Sequence, residues 1–133
     1  MFTNPVIQNL SLLAGRIMLS AIFILSGFNK LKGFSGGGTQ KYMEAMGVPG
    51  ALLPLVIITE LGFGLMVLVG FKTRLCAFLL AGFTLLSALL FHNKLGDPAQ
   101  YLQFMKNVSI AGGFLALLAA GAGAWSVDGR KGE

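Results

Sequence analysis

Charged residues, cysteine and histidine are scarce in this chain, and each scarcity excludes a class of protein or site. Lys and Arg contribute 10 of the 133 residues and Asp and Glu 5, so that 11% of the chain is charged. A soluble domain has roughly a quarter of its residues charged, so this chain has too little polar surface to fold in water. The single cysteine, Cys76, excludes an intramolecular disulfide and a CxxC redox pair. The single histidine, His92, excludes ligation of a haem by two histidines of one chain.

The basic residues lie mainly beside apolar runs. A net charge of +5 would suit nucleic acid, but basic side chains at the ends of apolar runs anchor helices at lipid headgroups. The sequence shows no basic face and no nucleic-acid-binding motif, so we predict no nucleic-acid partner. One histidine, one cysteine and one isolated glutamate do not form a ligand set, which argues against a metal site. The partner that the composition indicates is the lipid bilayer.

Long apolar runs are what the chain has in abundance, and its mean hydropathy is +0.77. Four runs are each close to the roughly 20 residues that a helix needs to cross the hydrocarbon core. They cover about residues 10–28, 51–70, 75–92 and 107–125. The runs are continuous rather than alternating, which excludes the strands of a transmembrane barrel. We therefore predict an all-α membrane protein, a single domain of residues 1–133 folded as a four-helix transmembrane bundle.

The loop between the first two runs carries a short amphipathic segment. Three consecutive glycines precede residues 39–46, in which Tyr42 and Met43 are apolar while Lys41 and Glu44 are polar. This pattern predicts a short amphipathic helix lying at the membrane interface.

Small residues recur at four-residue spacing on two of the predicted spans. Ala77 and Ala81 form one stripe, and Gly112, Ala116 and Ala120 form another. Such spacing allows helix backbones to approach closely in lipid. It indicates packing within one bundle or between copies of the chain, so a homo-oligomer stays open as a partner.

Arg16 and Glu60 are the only charged residues in the first and second apolar runs. A charge inside the bilayer is costly unless it is paired or functional. At about 1.5 Å per residue both fall near the middle of the membrane. We therefore predict a buried Arg16–Glu60 pair, with Thr59 and Ser20 completing its hydrogen bonds. Two interpretations remain open: a clamp between helices, and a site that binds a polar ligand or relays a proton.

A second polar cluster is predicted at one membrane interface. Lys30 ends the first run and His92 ends the third, while Lys106 and Asn107 begin the fourth. The two longer loops join these ends, so the four residues should lie on the same side. His92 is able to hydrogen-bond or titrate, whereas Lys30 and Lys106 also suit a role as interfacial anchors. The candidate ligand-binding or proton-relay residues are therefore Arg16, Glu60, Lys30, His92, Lys106 and Asn107, and no catalytic residue is predicted.

Four segments of the chain carry a family pattern: GRIMLSAIFILSGFNKLKGF, YMEAMGVP, ITELGFGLMVLVGFKTRL and FMKNVSIAGGFLALL. Over about residues 12–128 they resemble the DoxX family of small bacterial inner-membrane proteins, in the same order and with the same loop sizes. The matching motif positions are Arg16, Gly27, Lys30, Gly47, Pro49, Glu60, Gly70, Arg74, Lys106, Asn107 and Gly113. The resemblance implies a multi-pass protein of the bacterial inner membrane.

The resemblance also implies a link to redox chemistry. The family name comes from a subunit associated with a terminal quinol oxidase and a thiosulfate:quinone oxidoreductase, and other relatives are linked to oxidative-stress complexes. The leading hypothesis is therefore a non-catalytic or accessory membrane component of such a process, with a quinone as ligand and a redox complex as partner. With no thiol pair or cofactor motif, the chain is not predicted to be a complete redox enzyme, and haem is disfavoured. The alternatives are a small-molecule or proton transporter and a purely structural membrane adaptor.

Overall fold

The computed structural model describes residues 4–92 and 94–130. Within these residues, four helices are long and apolar enough to cross a membrane. In chain order the helices are α1 (Pro5–Lys32), α2 (Gly38–Ala45), α3 (Gly50–Val69), α4 (Thr73–Phe91), α5 (Pro98–Ala120) and α6 (Val127–Arg130). The spans are α1, α3, α4 and α5, which confirms the predicted four-helix membrane fold. The Lys30 end of the bundle holds α2 and the α4–α5 connection, and the Arg16 end holds the α3–α4 turn and α6.

The first span is longer than its apolar run. Asn4 caps α1 by accepting a hydrogen bond from the amide of Val6 at 2.8 Å, and Pro5 occupies the first turn, where proline is favoured. The helix then runs for 28 residues to Lys32, about 42 Å at 1.5 Å per residue. The predicted bounds of 10–28 were therefore too short, because helical turns with polar residues extend beyond the apolar run.

The fourth span was placed too late in the sequence. It begins at Pro98 and ends at Ala120, whereas the apolar run predicted 107–125. Asp97 caps it by accepting from the amide of Ala99 at 3.0 Å, and Pro98 follows in the first turn. The cause is the same as in α1. The first turns of α5 contain polar residues, so a search for apolar runs does not include them.

The short helix in the first loop is confirmed. It covers Gly38–Ala45, and Met43 is buried while Lys41 is exposed. Tyr42 stacks on Phe91 at the end of α4, with ring centroids 5.7 Å apart and planes 14° from parallel. These contacts fix α2 across the Lys30 end of the bundle.

The second span changes its helical winding along its length. It starts as a 3₁₀ turn at Gly50–Leu52, continues as α-helix, widens into a π-helical turn at Ile58–Phe63 and returns to α-helix at Gly64–Val69. The π-helical turn contains Glu60 and lies against α1. A methyl group on Gly27 would be 2.9 Å from the backbone nitrogen of Leu61, so only glycine allows this close approach. Such turns are rare and often mark functional sites.

The hydrophobic core lies mainly between α3, α4 and α5, and Phe23 of α1 closes it. Phe23 meets Phe114 edge to face, with ring centroids 5.5 Å apart. Ala77 and Ala81 of α4 are buried in this core. The prediction that this small-residue stripe packs within the bundle is therefore confirmed.

The stripe of small residues on α5 faces outward instead. Gly112, Ala116 and Ala120 are exposed, and a methyl group on Gly112 would meet nothing within 4 Å. Packing of this stripe inside the bundle was thus a wrong interpretation, and contact with a second copy of the chain stays a prediction.

Candidate functional site

A cavity of about 420 Å³ lies inside the Lys30 end of the bundle. Small-molecule sites commonly have roughly 300–1,000 Å³. All four spans and α2 contribute to its wall, which is mostly apolar. Its polar lining residues are Ser26, Lys30, Thr39, Glu60, Thr84, Ser87, His92 and Asn107. Four of the six candidate residues, Lys30, Glu60, His92 and Asn107, thus meet around one space.

An ion pair between Lys30 and Glu60 lies in the wall of this cavity. Lys30 Nζ and Glu60 Oε1 are 2.5 Å apart, and the side chains are 29% and 7% exposed. Lys30 comes from the last turn of α1 and Glu60 from the π-helical turn of α3. Removal of one partner would leave an uncompensated buried charge, which is strongly destabilising.

The predicted pairing of Arg16 with Glu60 is therefore wrong. Glu60 lies level with Gly27, because a methyl group on Gly27 would be 3.2 Å from its Cβ. Arg16 lies level with Gly70, because a methyl group added to Gly70 would be 2.9 Å from Arg16 Nη1. Positions 16 and 27 on α1 are about 16 Å apart along the helix axis. The predicted depths were wrong because α1 and α3 are displaced along their axes, so that the C-terminal end of α3 lies beside Arg16, 11 residues after the start of α1.

The prediction that Thr59 and Ser20 hydrogen-bond to the charged pair is also wrong. Thr59 Oγ1 donates to Leu55 O at 2.8 Å, and Ser20 Oγ donates to Ile17 O at 3.2 Å. Both hydroxyls bond within their own helices, as serine and threonine commonly do. Neither supports a charged group.

His92 and Asn107 add hydrogen-bonding groups to the cavity wall. His92 Nδ1 lies 3.1 Å from Gln100 Oε1 on α5. With that amide oxygen as acceptor, Nδ1 donates and Nε2 of the neutral ring keeps its lone pair. Asn107 Nδ2 donates to Thr84 O at 3.5 Å. No pattern in the sequence indicates Gln100, because its position opposite His92 follows only from the start of α5 at Pro98.

Two of the candidate residues lie outside this cavity. Lys106 is exposed on α5 and does not line the cavity. Arg16 is 1% exposed and lies at the opposite end of the bundle. Its guanidinium donates to Leu68 O at 2.8 Å, Val67 O at 3.4 Å and Trp125 O at 2.6 Å.

The contacts of Arg16 stabilise the end of α3. Carbonyl groups in the last turn of a helix lack intrahelical donors and carry negative partial charge. Arg16 donates to Leu68 O and also to Val67 O, which accepts from the amide of Gly70 as well. It also binds the Trp125 carbonyl in the segment after α5. It therefore ties α1, α3 and the C-terminal segment together.

Asp128 performs the complementary role at the start of α4. Its carboxylate accepts from the backbone amides of Lys72 and Thr73, both at 2.8 Å. Its own amide donates to Gly70 O at 2.8 Å. Asp128 is 5% exposed, so a buried carboxylate faces the positive end of the α4 dipole. No pattern in the sequence indicates a role for Asp128, which lies beyond the last apolar run.

Replacing Asp128 by alanine should lower the free energy of unfolding by about 1–3 kcal/mol, because the buried amide of Thr73 and the part-buried amide of Lys72 lose a charged acceptor. Thermal unfolding in mild detergent measures the loss. Asp97→Ala is the matched control, since Asp97 caps α5 through one exposed amide. Equal effects of the two substitutions would contradict the role assigned to Asp128.

A metal site finds no support in the arrangement of the ligating side chains. Across residues 4–92 and 94–130, no three His, Cys, Asp or Glu side chains cluster closely enough to hold an ion. The groups that the cavity offers to a ligand are instead an ammonium, a carboxylate, an imidazole and an amide.

Comparison with known proteins supports the resemblance to the DoxX family. The sequence profile of the DoxX family matches residues 11–93. Inner membrane protein YqjF of Escherichia coli (strain K12) is 50% identical over 122 residues, which is 92% of each chain. Inner membrane protein YphA of the same strain is 40% identical over 126 residues, covering 90% of this chain and 89% of its own. No solved structure matches the chain significantly. With four spans and these relatives, the chain is a multi-pass inner-membrane protein that belongs to the DoxX family.

Proposed function

We propose that this protein is a non-catalytic component of a membrane redox process that binds a quinone or a similar apolar ligand with a polar head. The ligand head would occupy the cavity beside Lys30 and Glu60. The observation that carries the proposal is a buried ion pair in the wall of a mostly apolar cavity of about 420 Å³. Such a cavity, with few polar groups converging on it, is the usual form of a small-molecule site.

The polar groups match both redox forms of a quinone. The ammonium of Lys30 has three donors and gives one to Glu60, so two remain for a ligand carbonyl. The lone pair on His92 Nε2 and the second oxygen of Glu60 would accept from the hydroxyl groups of a quinol. The flat ring would lie between apolar side chains such as Val56, Phe83 and Leu86.

The core supports binding rather than passage through the protein. The charged groups at the Lys30 end and the Arg16 end are separated by the packed core around Phe23, Leu80 and Phe114. Phe114 and Leu80 are fully buried. A solute or proton crossing the bundle would have to pass this apolar layer, which favours a binding site confined to the Lys30 half of the bundle.

Removal of the Lys30 charge should weaken quinone binding about tenfold, the equivalent of one lost hydrogen bond to a charged group. Wild-type protein purified in mild detergent should retain quinone detected by mass spectrometry of organic extracts and by its ultraviolet spectrum. Binding of added quinone is then compared for wild type, Lys30→Met, Glu60→Gln and the control Lys106→Met, which removes an exposed lysine outside the cavity.

Single substitutions leave one charge of the pair unbalanced, so the double variant Lys30→Met/Glu60→Met completes the series. Circular dichroism checks that each variant is folded. The proposal fails if wild type binds no quinone, or if folded Lys30→Met and Glu60→Gln proteins bind it as tightly as wild type does.

A further inference from the structure

An open groove of about 700 Å³ runs along the outer face of α1 and reaches the cavity. Eight residues line it: Met18, Ala21, Ile22, Leu25, Ser26, Asn29, Lys30 and Thr39. Four of them, Ile22, Ser26, Lys30 and Thr39, also line the cavity. The groove and the cavity therefore meet at these four residues, and we call the region that they line the mouth.

The groove has an apolar end and a polar end. Met18 and Leu25 are apolar, and 75% and 63% exposed. Toward the Lys30 end the lining changes to Asn29, Lys30 and Thr39. From Met18 to Lys30 the helix rises about 18 Å. The apolar end thus lies toward the middle of the span, and the polar end lies where α1 leaves the membrane.

Packing of α1 against α5 limits where the cavity opens. A methyl group on Gly113 of α5 would be 3.0 Å from a methyl of Leu19, so the two helices touch at that level. One and two turns further along α1, Ile22 and Ser26 line both the groove and the cavity. The opening toward the bilayer therefore begins just beyond the Leu19 contact.

We propose that the ligand is a single-tailed amphiphile that enters the cavity sideways from the bilayer and lies with its hydrocarbon tail in the groove along α1. An ordinary lipid-facing surface needs only apolar side chains, whereas this groove leads to the Lys30–Glu60 ion pair. The head would bind at that pair and the tail would leave through the mouth. This inference rests on the proposed function and names its ligand class and its route of entry.

A bulky residue in the groove should exclude a tailed ligand and spare a tail-less one. The probes are a benzoquinone with a decyl tail and the same benzoquinone without a tail. Binding is measured in lipid nanodiscs and expressed per lipid, so that partition into the bilayer does not enter the comparison. Ala21→Trp and Leu25→Trp should weaken binding of the decyl probe about tenfold and leave the tail-less probe unchanged. Ala14→Trp is the matched control, two helical turns away on exposed α1 surface outside the groove.

The outcomes separate this inference from the proposed function. If wild type binds neither probe, the proposed function fails. If wild type binds both probes and the groove variants also bind both as wild type does, the tail does not use the groove and the inference is overturned. If a folded groove variant binds neither probe, the inference is overturned as well, because the groove would then not distinguish a ligand with a tail from one without.

Labelling of the wild-type protein gives a readout that no substitution disturbs. A benzoquinone with a diazirine at the end of its tail is photolysed in nanodiscs, and the adducts are mapped by mass spectrometry. Adducts should concentrate on residues 18–25 of α1 and should be displaced by excess decyl probe. Adducts spread evenly over the lipid-facing surfaces of the other spans would contradict the inference.

Discussion

Replacing Arg16 by methionine should destabilise the protein by about 3–5 kcal/mol, because hydrogen bonds from a charged donor contribute about 1.5–3 kcal/mol each and two carbonyls depend on this one. The backbone carbonyls of Leu68 and Trp125 would lose the donors that Arg16 supplies, while Val67 O keeps the amide of Gly70 as a donor. Each buried carbonyl left without a donor costs about 1–3 kcal/mol. Arg16 also attracts the buried carboxylate of Asp128, which the substitution would leave with less compensating charge.

The single tryptophan makes this prediction directly measurable. Trp125 lies in the segment that Arg16 holds, and its fluorescence should change in step with thermal unfolding of Arg16→Met. Arg16→Lys should be intermediate, because an ammonium keeps the charge but lacks the planar fork that reaches several carbonyls. The control is Lys106→Met, an exposed charge removal whose effect should stay within about 0.5 kcal/mol. A melting temperature of Arg16→Met equal to that of wild type would show that Arg16 does not hold this end together.

Replacing Gly70 by alanine should cost about 2–4 kcal/mol, from left-handed backbone strain and overpacking together. Gly70 has φ of 75°, a conformation that costs a residue with a Cβ. Its new methyl group would overlap Cβ of Ser126 and lie 2.9 Å from Arg16 Nη1. The backbone has little freedom to relieve the clash, because Gly70 O accepts from the amide of Asp128.

A matched glycine on α5 provides the control for that substitution. Gly112 lies within a regular helix, and a methyl group there would meet nothing within 4 Å. Alanine is favoured over glycine in a helix by up to about 1 kcal/mol, so Gly112→Ala should be neutral or stabilising. Chemical unfolding in detergent compares the two variants. Similar changes in the free energy of unfolding of the two variants would mean that the contacts around Gly70 do not cause the destabilisation.

Part of the cavity site was predictable from the positions of residues relative to the apolar runs. Lys30, His92 and Asn107 lie near ends of runs joined by the two longer loops, and an antiparallel bundle brings such ends to one side. Glu60 was recognised as exceptional because a lone charge stands out in an apolar run. Its partner was not predictable, because the partner depends on how far α1 and α3 are displaced along their axes.

The sequence by itself determined that the protein lies in a membrane, and it determined the four spans and the amphipathic helix. It also showed which charged residues need partners. Each of these results follows from composition or from spacing along one segment. Only the tertiary structure decided that Glu60 pairs with Lys30 and that Arg16 binds backbone carbonyls. The π-helical turn and the close approach at Gly27 set the register of α1 against α3. The cap formed by Asp128 joins residues far apart in the chain. Contacts between distant segments depend on helix ends and crossings, and those are set by packing rather than by any local pattern.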